Sequence, residues 1–134
     1  MDATPLLIVD AANVVGSRPD GWWRDRAGAT ARLRDTLVPV AADGVPPDLP
    51  PPAEVVLVVE GAARDVPSVP GVRVVAAPHS GDDAVVELVA AAPQRRRLVV
   101  TADRELRERV TAQGAEVYGP RWLRDRDIHP RESH

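Results

Sequence analysis

Five short apolar runs punctuate the chain, and most are apolar at nearly every position. They are PLLIVD (5–10), EVVLVVE (54–60), VRVVA (72–76) and RLVVTA (97–102), with a weaker run, AEVY, at 115–118. A strand that is apolar throughout, not alternately, is one buried on both faces, as in a parallel sheet covered by helices. Helical spacing falls between these runs. Residues 25–38 place Leu33 and Leu37 at i, i+4, and Pro39 is expected to stop that helix, since it has no N–H and crowds the preceding turn. Residues 82–92 set Val85, Leu88 and Val89 on one face, and residues 103–113 do the same with Leu106 and Val110. This order of elements predicts an α/β domain, a three-layer α/β/α sandwich around a mostly parallel central sheet.

The proline-dense segment ADGVPPDLPPPAE (42–54) reads as a stiff, extended loop between helix and strand, not as a domain boundary. We expect one domain over residues 1–123 and a polar tail at 124–134. At 44% hydrophobic and 28% charged, the composition is that of a soluble globular chain. The apolar runs are too short to span a bilayer, and the N-terminus MDATPLL lacks the basic start and apolar core of an export signal, so the expected setting is cytoplasmic and off the membrane. Cysteine is absent, which removes disulfide and thiolate chemistry. All 17 basic residues are arginine, which removes the P-loop lysine and Schiff-base catalysis. A formal charge of −3 gives no global attraction to nucleic acid, so any such binding must come from a local arginine patch.

The acids fall in a pattern. Asp10 ends the first strand and Glu60 the second; Asp82 and Asp83 follow the third and Asp103 follows the fourth. In a parallel sheet all these exits share one edge, the edge at which open α/β sheets bind ligands. Carboxylates gathered there repel one another and call for protons or a cation, and Mg²⁺ or Mn²⁺ is the natural cation for an all-oxygen set. Such an ion supplies what phosphodiester hydrolysis needs, an activated water and a neutralised phosphoryl oxygen. Helix capping accounts equally well for Asp82 or Asp103 taken singly. Asp10 is the least easily explained as a cap, because AANVV after it has no clear helical pattern. Zinc is not expected, with no cysteine and no paired His spacing; His79 is the only histidine near the acids.

The segments LIVDAANVVGSRP, SGDDAVVELV and LVVTADREL, in this order, resemble those of bacterial NYN domains, specifically the YacP-like branch of the PIN-like nuclease superfamily. The resemblance runs from about residue 5 to residue 123. It implies a PIN-like fold and metal-dependent cleavage of RNA, with Asp10, Asp82 and Asp103 as the catalytic metal-binding core. Asn13 would lie beside that core, orienting a ligand or the substrate phosphate, and Asp83 would serve a second metal or hold a water. Thr101 would hydrogen-bond Asp103 or the phosphate. Where relatives often carry Asp after the second strand, this chain has Glu60, whose longer arm makes it the least secure of the metal ligands.

An RNA substrate must also be held. The segment GSRPDGWWRDR offers Arg18, Arg24 and Arg26 for phosphate, and Trp22 or Trp23 for stacking on an unpaired base. Adjacent residues cannot both face the core, so one tryptophan is expected inside and the other outside. Arg104, next to Asp103, is a further phosphate contact or an ion-pair partner. Arg95, Arg96 and Arg97 precede the fourth strand, at the opposite edge, and read mostly as solvated surface. Single-stranded RNA is the expected partner, with a ribosome as a further candidate and a monomer or homodimer as the assembly. The rival reading is a PIN-like module that binds RNA or a ribosomal partner without cutting.

Overall fold

A computed structural model of the chain describes residues 4–17 and 21–123, the Trp22 side chain excepted. Five strands form one sheet in the order β3-β2-β1-β4-β5: β1 (Leu6–Asp10), β2 (Glu54–Val59), β3 (Val72–Ala76), β4 (Arg97–Val100) and β5 (Glu116–Tyr118). Every pairing is parallel, with Ile8 opposite both Val56 and Val99. Alternate residues of each strand go to opposite faces. Leu7, Val9, Leu57 and Val100 join one core with α1 (Ala11–Gly16) and α2 (Arg26–Asp43). Leu6, Ile8, Val56 and Val99 join a second with α3 (Gly81–Ala90) and α4 (Arg104–Thr111). This is the three-layer sandwich expected of strands apolar at every position. Among the described residues no helix is long and apolar enough to cross a membrane.

The chain winds from β1 outward through β2 to β3, then returns past β1 to β4 and β5. The strand order therefore reverses between β1 and β4, and the exits of those two strands flank the switch point.

Four local expectations are corrected. The AANVV segment is helical: α1 begins immediately after Asp10, which caps it by accepting a hydrogen bond from the Asn13 N–H. Pro39 does not end α2, which continues to Asp43. Leu37 and Val40, on either side of the proline, are both buried, and that burial offsets the lost hydrogen bond. The helix ends instead at Gly44, whose φ of 69° and close approach to the Leu49 carbonyl leave no room for a side chain. The proline-rich segment is not extended, because Val45 and Leu49 exchange backbone hydrogen bonds of 2.8 Å across a tight turn and both are buried. Trp122 stacks on Tyr118 and donates to Asp48 at 3.0 Å, holding this turn against the segment that follows β5.

The fourth correction is Arg97, which is 6% exposed and not solvated surface. Its guanidinium donates to the carbonyls of Arg95, Val89 and Gln113 at 2.7–3.0 Å, tying together the ends of α3, β4 and the turn after α4. Arg95 and Arg96 stay nearer the surface and pair with Glu54 and Glu116. Replacing Arg97 with alanine removes three buried or half-buried hydrogen bonds to carbonyls, at a cost on the order of 3 kcal/mol, while Arg96→Ala should cost less than about 1 kcal/mol. Urea denaturation of the two variants measures the difference, and added salt should diminish only the Arg96 effect.

Candidate active site

Asp10, Ala12, Asn13, Glu60, Asp82 and Asp103 line one open depression of about 270 Å³ at the carboxyl edge of the sheet. Each reaches it by a local rule of chain folding. Asp10 and Asp103 are N-caps, of α1 and α4, and Asp103 accepts the Leu106 N–H at 3.1 Å. Asp82 is not a cap: Ser80 holds that place in α3, and Asp82 lies in the first turn, where the helix dipole favours a negative charge. Glu60 stands one residue beyond β2 and accepts a hydrogen bond from the Gly81 N–H. A Cβ on residue 81 would crowd that carboxylate and make it shift, so glycine suits the close approach of Glu60 to the start of α3.

A hydrogen-bonded ladder joins the two central exits. The Thr101 hydroxyl donates to Asp10 Oδ2 at 3.0 Å and accepts from the Asp103 N–H at 3.1 Å. The Asn13 side-chain oxygen accepts from the Ala102 N–H at 2.8 Å. Thr101 is wholly buried, so it positions the two acids and does not face a substrate phosphate. Asn13 likewise spends its side-chain oxygen on latching α1 to the exit of β4.

The remaining expectations divide. Asp83 does not line the depression; it points outward and pairs with Arg109 at 3.1 Å. That partner, on α4, had no signal in the sequence beyond its helical position. Arg24 lies over the exposed ring of Trp23, 5.8 Å from its centroid. Arg104 is an exposed first residue of α4. Arg18 and the Trp22 side chain lie outside the described residues, and with them the expected division of roles between the two tryptophans.

The electrostatics follow from burial and crowding. Burial pushes the Asp10 carboxyl up to about 6; hydrogen bonds from Thr101 and Asn13 draw it back in part, and the charges of Asp82 and Glu60 add to the rise. Asp82 is also raised, by burial and then by the charges of Asp103 and Glu60. Among the described residues, no three acidic or imidazole groups are gathered closely enough to hold a metal ion as they stand. The donor set nonetheless fits a hard divalent cation, being all oxygen and mutually repelling. Mg²⁺ is typically held by only one or two carboxylates, with waters and substrate phosphate completing its shell.

A doubly wound parallel α/β domain with acids at its switch point is the class that fold and site define. No protein-family model and no curated protein sequence matches the chain. Among solved structures it is similar to Rae1 (YacP) from Bacillus subtilis, with a TM-score of 0.72 and 19% identity over 99% of this chain and 80% of that one. A tryptophan-to-leucine variant of the same protein gives a TM-score of 0.71 and 18% identity over 92% of this chain and 74% of that one. At such identities the likeness is one of fold, and the chain has the YacP-like NYN fold.

Asp10 leaves a thermodynamic mark. Its folded-state value lies above the ordinary 3.8, so the folded protein keeps a proton that the unfolded chain releases. Stability should therefore fall as pH rises from about 4 to about 6, by on the order of 2 kcal/mol, and stay low above that window. Asp10→Asn removes this loss while keeping an acceptor for Thr101. In metal-free buffer the variant should be more stable than the parent at pH 8 and match it near pH 4, as thermal unfolding at the two pH values will report.

Proposed function

We propose that the chain is a metal-dependent ribonuclease that hydrolyses phosphodiester bonds of single-stranded RNA in the cytoplasm. The observation that carries this reading is the convergence of Asp10, Asp82, Asp103 and Glu60 on one depression at the switch point of the sheet. The YacP-like fold supports it, because that family resemblance implies metal-dependent RNA cleavage.

Asp10 and Asp103, fixed relative to each other through Thr101, would hold Mg²⁺ or Mn²⁺ together with Asp82 across the depression. The bound ion supplies a Lewis acid for the phosphoryl oxygen and a water of lowered pKa. Asp10 must give up its proton to ligate, so metal affinity rises with pH through about 6. Glu60 holds the N-terminus of α3 and thereby sets where Asp82 stands. Asn13 keeps α1 against the exit of β4, so that Asp10 and Asp103 keep their separation. Asp83, turned toward Arg109, is outside this set.

Cleavage of a labelled single-stranded RNA under a Mn²⁺ titration tests the reading. Asp10→Asn, Asp82→Asn and Asp103→Asn should each lower the rate by about 10²-fold or more, while Asp83→Asn should change it less than about threefold. Thr101→Val should weaken Mn²⁺ by about tenfold or more, because it frees the carboxylate that the metal needs held. A second reading, a module that binds RNA or a ribosomal partner without cutting, is favoured by the absence of a ready-made cage among the described acids. It predicts RNA binding with no Mn²⁺-dependent cleavage at any pH.

A further inference from the structure

One arginine beside the acidic depression is left without a role by the hydrolytic chemistry. The depression itself is lined by four acids and, among the described residues, by no cation. Of the charges that act most strongly on Asp10 and Asp82, Arg109 alone is positive, and it opposes the rise of the Asp82 carboxyl. The geometry agrees. Helices α3 and α4 pack against each other, and Arg109 reaches from the last turn of α4 to the first turn of α3. There it donates to Asp83 Oδ1 at 3.1 Å, one residue along from Asp82. Its guanidinium therefore stands on the outer lip of the depression, at the seam between the two helices.

The bond to Asp83 does not use up this arginine. It engages one nitrogen, Nη2, while Nε and Nη1 bond nothing among the described residues. The two side chains are 40% and 63% exposed, and an ion pair so open to water is held weakly. A phosphodiester offers two oxygens to one edge of the guanidinium fork, where Asp83 receives a single bond. Charge supplies the need for such a contact. An RNA strand is negative along its length, and to reach these acids it must lie against four carboxyls. A cation on the lip is what would hold a phosphate there.

We propose that Arg109 leaves Asp83 to bind a backbone phosphate of the RNA strand, beside the linkage held at the acids. The proposal rests on the ribonuclease reading for its strand and deepens it. Asp83 is then the resting partner of Arg109 and the competitor that the phosphate displaces. The two neighbouring acids divide their roles accordingly: Asp82 serves the scissile linkage, and Asp83 holds the arginine until a strand arrives. The strand leaves the depression along the seam between α3 and α4. A simple clasp between the helices behaves differently. Loss of either partner would loosen a clasp alike, whereas for a phosphate contact the two substitutions act in opposite directions on RNA binding.

The test is binding of a short labelled single-stranded RNA, followed by fluorescence anisotropy, with one uncharged methylphosphonate linkage moved along the strand. Asp103→Asn protein in Ca²⁺ keeps the strand intact, and gels confirm it. One position is expected at which the neutral linkage weakens binding by about fivefold or more. Arg109→Gln, added to this protein, should abolish that penalty and make the slope of log affinity against log salt shallower by about 0.7. Asp83→Asn should instead tighten binding about twofold and keep the penalty. Arg73→Gln makes the same change of charge at an exposed position near the start of β3, on the opposite edge, and should keep the penalty too. The absence of any position whose penalty depends on Arg109, or a weakening by Asp83→Asn like that by Arg109→Gln, overturns the proposal. The ribonuclease reading fails separately: an Arg109-dependent position, but no Mn²⁺-dependent cleavage by the unsubstituted protein, removes the chemistry and keeps the contact.

Discussion

A carboxylate buried at the end of the central strand is the constraint on which the carboxyl edge depends. Asp10 is 5% exposed, and burial opposes its charge. Three contacts make the position tolerable: the Asn13 N–H, the Thr101 hydroxyl and the start of α1 itself. The first ties Asp10 to the helix that follows it, and the second ties it to the next strand across the switch point. Because Thr101 also accepts from the Asp103 N–H, the carboxylates of two distant segments are set by one buried hydroxyl. The residual strain is electrostatic, of a kind that either a proton or a cation removes.

The opposite edge of the sheet solves the opposite problem. Arg97 carries a permanent charge into the interior, and among the described residues no carboxylate pairs with it there. Three backbone carbonyls accept its donors instead, at helix and turn ends where carbonyls have acceptor capacity to spare. The two edges thus divide the work. At one, a buried cation is held by three carbonyls of the chain and contributes to the fold; at the other, one buried and several crowded carboxyls oppose one another's charge. That asymmetry separates an edge that steadies the fold from one that strains it more clearly than the sign of the charges does.

Much of this was legible in the sequence, and the reasons for success and failure are physical. Val-rich runs apolar at every position can serve only a sheet covered on both faces, which fixed the layers and the parallel direction. The direction in turn put Asp10, Glu60, Asp82 and Asp103 at one edge. The α1 helix was missed because six residues hold too little periodicity to announce it, although Asp10 followed by Asn13 carries the capping signal. Pro39 misled because its local cost is outweighed by the burial of Leu37 and Val40, which sequence pattern alone does not weigh against it.

What the sequence by itself determined is the class of fold and the edge on which chemistry would gather, since both follow from periodicity and strand direction. Only the tertiary structure decided which acids meet. Asp82 and Asp83 are neighbours in sequence, yet the rotation of α3 sends one into the depression and the other outward to Arg109. Glu60, the least favoured ligand on its arm length, proves to be what seats that helix. Arg97 is indistinguishable from Arg95 and Arg96 in the chain, and is buried because three segment ends converge on it. Such choices depend on which elements become neighbours at the switch point, and no local pattern carries that information.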